Sequence, residues 1–355
     1  TLFWHNHFAT SAHKVENPAF MSRQIELFRR YAAGNFRSLL LEVSSDPAML
    51  VYLDGRVNRK AAPNENYARE VMELFTIGIG HYGEKDVKEA ARAFTGWTIQ
   101  DGRAVFEPKQ HDDGEKEVLG RKGKLGTEDV VDVLAAHRAT AKRLSLKLAK
   151  EFLSPDPDGE VVEAMAAEYL RSGYDVRAVL RVLFTSKAFR SDAALFARVK
   201  SPVELVIGAL RALPGIVPLR QLTATLRRMG QDLFAPPTVK GWDGGRAWLS
   251  TSTLLNRVNF AKDVAAGVGN NPSPALDARE LVRRHELDSA EKLVAHMLDR
   301  FGPLEVTPTV CAKLVEYVQA AEMPKAPAYP HPSTIDGKVR GVAHLVMSLP
   351  EYQLC

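Results

Sequence analysis

Cysteine is nearly missing from this 355-residue chain, with only Cys311 and Cys355 present, so neither a disulfide framework nor a zinc-knuckle spacing is available. Long apolar runs are missing too. None approaches the roughly 18 to 20 residues that a membrane-crossing helix needs, so no transmembrane segment is expected. Basic runs are absent: 47 Lys and Arg against 43 Asp and Glu give a formal charge of +4, spread along the chain, and no nucleic-acid partner is expected. H-E-x-x-H, a nucleophile elbow and a phosphate-cradling glycine loop before a helix are also lacking, which removes the compact signatures of zinc proteases, serine hydrolases and P-loop enzymes. What remains is ordinary globular material, 45% hydrophobic and 25% charged, enough for one large module or two domains. The chain opens at Thr1 inside an aromatic segment, which reads as a sequence whose upstream part has been removed, so the lack of a signal peptide says nothing of compartment.

The stretch that organises the reading is Pro63 to Gly78, P-N-E-N-Y-A-R-E-V-M-E-L-F-T-I-G. Asn64 is placed to cap a helix whose apolar stripe is Tyr67, Val71, Leu74 and Phe75. At about 100° per residue, Asn66, Glu70 and Glu73 fall within about 60° of one another on the adjoining face, with Arg69 beside them. Two carboxylates and an amide along a buried stripe suit metal ligation or acid/base work, and equally a hydrogen-bonded structural network.

Histidines for such a site come from two places. In T-L-F-W-H-N-H-F a helix puts Phe3, Trp4, His7 and Phe8 on one arc and turns His5 away; an extended strand would project His5 and His7 together, able to chelate one ion. His111 and Asp112 sit in a polar turn within Thr98 to Gly120. There, alternation through Ala104 and Phe106 and a return through Val118 and Leu119 predict a small β-hairpin or structured loop. If it folds over the acidic helix, His111 reaches the carboxylates; if it does not, the turn needs no function.

Helical periodicity fills the rest. Met21 to Ala33, Asn35 to Leu53, Asp86 to Phe94 and the segments from Thr127 onward predict an all-α, multi-helical array of antiparallel helix pairs, divided into domains 1–195 and 196–355. In the segment striped by Leu144 and Leu148, Arg143, Lys147 and Lys150 read as a solvated face. A linker is expected at Pro272–Ala275 and a proline-rich spacer at Met323–Pro332. Leu233 to Ser250 breaks the pattern: paired prolines and glycines demand a fixed loop, in which Trp242 either stacks on a glycan or pins the loop to the core.

F-W-H-N-H-F-A-T-S, D-P-A-M-L, N-E-N-Y-A-R-E-V-M-E-L-F-T-I-G, D-V-K-E-A-A-R-A-F-T-G-W, H-D-D-G-E-K-E-V-L-G, P-P-T-V-K-G-W and the terminal L-P-E-Y-Q together resemble the bacterial DUF-1800 family of unknown function, over nearly the whole chain. The resemblance implies an extracytoplasmic, periplasmic or secreted, bacterial protein and transfers no activity. Three functional readings stay open. The first is a metal-dependent hydrolase in which Glu70 and Glu73, with His5, His7 or His111, hold a divalent ion and a spare carboxylate or Asp112 assists. The second is a glycan- or protein-binding module using Asn66, Arg69 and Trp242. The third is a helical scaffold.

Overall fold

The computed structural model describes residues 1–213, 219–266, 277–320 and 335–355. The expected linker at Pro272–Ala275 and the proline-rich Met323–Pro332 segment lie outside the described residues. Eighteen α-helices and two two-stranded antiparallel sheets are present among the described residues, so the fold is mostly α. Two compact units form: Thr1–Leu195 with Phe234–Asp243, and Phe196–Leu233 with Gly244–Cys355.

In the first unit the helices begin where side chains can take the free N–H groups of a first turn. Asn17 accepts from Ala19 and Phe20, Asn35 from Ser38, Asp46 from Met49, and Asp175 from Arg177. Pro18 and Pro47 occupy first-turn positions whose N–H would be unpaired anyway. The apolar faces converge on Trp4, Phe8, Phe28, Phe36, Phe75 and Tyr169, all nearly inaccessible to solvent. Arg138–Phe152 packs on Gly159–Arg171, and that helix on Val176–Thr185.

One hairpin was expected between Thr98 and Gly120, and two are found. Trp97–Gln100 pairs with Arg103–Phe106, and Lys116–Val118 with Arg121–Gly123. Each closes on a two-residue turn with positive φ at both residues, Asp101 at 48° and Gly102 at 71°, then Leu119 at 49° and Gly120 at 84°. Such turns match the right-handed twist of the flanking strands, so the chain reverses there instead of at His111–Gly114. That polar turn becomes the connection between the hairpins.

The second unit has its own core, built on Val206, Met229, Val294, Met297, Val339, Val342 and Val346. Its most buried charge is Arg257, whose guanidinium donates to the Gln353 amide oxygen at 3.2 Å and the Lys200 carbonyl at 2.8 Å. Neither Cys311 nor Cys355 forms a disulfide among the described residues.

Candidate functional site

The central helix is capped at Glu65, one residue later than expected and without a side-chain cap bond; Asn64 holds the turn before it, its side-chain oxygen accepting from the Asn66 N–H at 2.9 Å and its own N–H held by the Asn58 side chain at 2.8 Å. The helix is α from Asn66 to Glu70 and then widens to a π-helix over Val71–Phe75. Thr76 donates its hydroxyl to the Val71 carbonyl at 2.5 Å and Gly78 its N–H to Met72 at 2.8 Å, which closes the wide turn. Tyr67, Val71 and Phe75 are buried as the stripe predicted. The wider turn changes the phase at which Glu73 follows Glu70, and π turns recur at functional sites.

Glu70 and Glu73 behave differently. Glu70 is half-buried and has no hydrogen-bond or ion-pair partner among the described residues; burial, then repulsion from Glu73, raises its pKa. Glu73 accepts from the Tyr82 hydroxyl at 3.0 Å. Burial and that bond push the Tyr82 phenol up to about 12.

Beneath the π segment lies a group of positive and neutral bases. His7 is enclosed by aromatic rings, with Phe8 at 4.6 Å, Trp4 at 5.5 Å and Phe3 at 5.9 Å between centroids. Its Nε2 lies 3.0 Å from the Phe75 carbonyl, which can only accept, so the proton is on Nε2. Nδ1 is then a bare acceptor and takes a hydrogen bond from Lys147 Nζ at 3.2 Å. Burial, with Lys147 and Arg143 nearby, holds the imidazole pKa well below the usual 6.5.

Lys147 has no carboxylate partner among the described residues. Its remaining contact is the Leu74 carbonyl at 3.4 Å, and burial, then Arg143 and Lys240, bring its pKa down to about 8. Arg143, one turn earlier on the same helix, has no hydrogen-bond or ion-pair partner among the described residues, and its Nε is buried and unsatisfied. Burial lowers its pKa while Glu73 acts through space in the opposite sense. A Cβ on Gly78, whose φ is +83°, would meet Arg143 Nη1 at 3.0 Å, so glycine there leaves room for the guanidinium.

The other sequence-derived residues are held elsewhere. Asn66 donates to Asp54 at 3.1 Å, and Asp54 pairs with Lys14 at 3.0 Å. Arg69 forks onto Glu84 through two bonds of 2.8 Å and reaches Glu65 at 3.0 Å. Asp112 receives Arg92 at 2.7 Å and the Gly114 N–H at 2.9 Å, while His111 Nδ1 lies 2.9 Å from the Thr95 carbonyl. These two pin the connection between the hairpins and share no hydrogen bond or ion pair with Glu70 or Glu73.

The helical reading of the first segment is the one adopted, and it sends His5 away from His7. His5 Nε2 accepts from the Phe234 N–H at 3.2 Å, with its ring 5.5 Å from that of Trp242. Trp242 is 7% exposed, and its backbone N–H donates to the Asn6 side-chain oxygen at 2.7 Å. It pins the loop and presents no open face for a sugar. Among the described residues, no group of three or more His, Cys, Asp or Glu is placed to hold a metal ion.

A family model described as protein of unknown function (DUF1800) matches residues 1–354. The chain belongs to this family. No curated protein and no solved structure matches it. Among the described residues of this DUF1800 chain, no helix is long and apolar enough to cross a membrane.

One element of the DUF1800 chain corrects the sequence reading. Arg143 and Lys147 were expected on a solvated face with Lys150; Lys150 is exposed, but the other two turn inward. A signal for this existed. Thr140 is buried and Lys147 lies only about 20° from it around the helix, so the inward arc extends past the leucines to include the lysine. Counting apolar residues alone hides a half-buried cation.

Proposed function

We propose that the first unit is a binding module that receives an anionic group at Arg143 and Lys147. The observation that carries this is the pair of partly desolvated cations, one turn apart on one helix, that no carboxylate among the described residues neutralises. Withdrawing charge from water without a counter-charge is costly, and such groups are ordinarily paired. The neutral His7 cannot offset either one. Glu73 is beyond ion-pair reach of Arg143 and already accepts from Tyr82. A carboxylate or phosphate could take an N–H from each cation, with the guanidinium fork supplying orientation.

The metal-dependent hydrolase reading draws less support from the same residues. Both His7 ring nitrogens are engaged, so recruiting it to Glu70 and Glu73 would break an existing hydrogen bond, while His5 is held by Phe234 and His111 by Thr95, each through one ring nitrogen.

Thermal unfolding of the protein with acetate, phosphate or sulfate, against chloride at equal ionic strength, tests the proposal. At least one anion is expected to stabilise, by about 2.7 kcal/mol at a hundredfold excess over Kd. Arg143→Gln and Lys147→Met should each abolish the gain. An equal response in wild type and both variants would sink the idea.

A further inference from the structure

A recess lies in the first unit, and its lining residues form no part of the Arg143 site. It is a groove of about 540 Å³, within the size range of small-molecule sites. One wall is the turn from Lys14 to Asn17 with Phe20, a second runs from Val51 to Arg59, and Thr98 and Ile99 of the first hairpin form the third. Val15, Phe20 and Val51 are buried and Ile99 is partly so, which makes an apolar floor.

The rim is polar and its charges are unevenly satisfied. Lys14 is neutralised by Asp54 at 3.0 Å. The side chains of Arg56 and Arg59 are exposed and have no ion-pair or hydrogen-bond partner among the described residues. Glu16 is likewise unpaired, and its backbone is fixed in a left-handed conformation, φ 53°, by an N–H bond of 2.9 Å to the Ala12 carbonyl. The Asn17 side-chain oxygen is consumed by the Ala19 and Phe20 N–H groups, leaving its amide NH₂ as a donor. The groove therefore offers two guanidinium forks, one carboxylate acceptor, one amide donor and an apolar floor.

We propose that this groove binds an acidic sugar, a pyranose ring bearing a carboxylate or a phosphate. The anionic group complements Arg56 and Arg59 through paired N–H···O bonds. Ring hydroxyls donate to Glu16 and accept from Asn17, and the C–H face of the ring covers Phe20 and Ile99. A purely apolar ligand would strand the arginines and the glutamate, whereas a bare anion would leave the floor and Glu16 unused.

Amide chemical shifts of the full chain provide the test, with glucuronate, glucose 6-phosphate, glucose and inorganic phosphate as probes. Glucuronate or glucose 6-phosphate is expected to give saturable shifts at Val57, Thr98 and Ile99, and whichever binds more tightly identifies the anionic group. Glucose and inorganic phosphate should each bind at least about tenfold more weakly, a difference of about 1.4 kcal/mol. The double variant Arg56→Gln/Arg59→Gln, altered only at exposed side chains, should lose the acid-dependent shifts. The proposal is overturned if neither acid shifts these amides, if glucose or phosphate alone matches the acids, or if the double variant responds as wild type does. Shifts confined to Leu74, Gly78 and Lys147 would overturn it as well, and would place the ligand at the Arg143 site instead.

Discussion

Gly241→Ala is expected to destabilise the first unit by about 3 to 5 kcal/mol, among the larger effects that a single substitution produces. Two costs combine. The φ of Gly241 is +88°, a conformation that L side chains adopt only with strain. A Cβ there would also lie 2.2 Å from the Asn6 side-chain oxygen and 2.5 Å from the Asn6 backbone carbonyl. The side chain could rotate away only by releasing the Trp242 N–H, held at 2.7 Å, and the backbone carbonyl belongs to the Leu2–His7 helix.

Trp242→Ala tests the same clasp from its other side, by removing a nearly buried indole, and a comparable loss is expected from the cavity. Urea denaturation of both variants, followed at the first unit, is the measurement. A Gly241→Ala midpoint indistinguishable from wild type would show that the loop is not clamped to Asn6 as described.

The second large effect is an acid-dependent loss centred on His5. Its Nε2 accepts from Phe234, its Nδ1 is buried without a partner, and the ring lies against Phe234 and Trp242. Protonation would put a donor against a donor in an apolar setting, and burial accordingly lowers the pKa from 6.5 to about 4. The unfolded chain takes up a proton near pH 6.5 that the folded chain refuses until about pH 4. The stabilisation is complete above 6.5 and is lost as pH falls towards 4, a change of about 3 kcal/mol. His7 acts in the same direction.

Asp46 acts in the opposite one. Burial raises its carboxyl to about 6, so the folded state gains relative stability as pH falls from there towards 3.8. The contribution of His5 is therefore isolated by a variant and not by the wild-type curve alone. His5→Asn should be less stable than wild type at pH 7, and that deficit should shrink by about 3 kcal/mol at pH 4. A deficit of equal size at both pH values would refute the assignment.

Much of the fold was legible because its signals are local. The stripe of Tyr67, Val71, Leu74 and Phe75 and the aromatic arc around His7 each follow from spacing along one helix; the structure buries Tyr67, Val71 and Phe75 and half-buries Leu74, while the cap falls at Glu65 instead of Asn64. The Trp242 loop was legible for a similar reason: paired prolines and flanking glycines restrict backbone conformation wherever they occur. The single expected hairpin became two because Leu119–Gly120 is a weak turn signal in sequence, although its backbone angles are as definite as those of Asp101–Gly102.

The sequence by itself determined that this is a mostly helical chain, that it carries the DUF1800 motifs from end to end, and which short segments must leave the helix. Periodicity and backbone restriction are properties of consecutive residues, so no partner is needed to read them. Only the tertiary structure decided which polar groups are satisfied. Arg69 and Asp112 resemble site residues in sequence yet are locked by Glu84 and Arg92, whereas Arg143 and Lys147 resemble surface residues yet are drawn inward without a counter-ion among the described residues. The cost of a buried charge depends on what lies across from it, and for Lys147 that is a histidine 140 positions away in the chain.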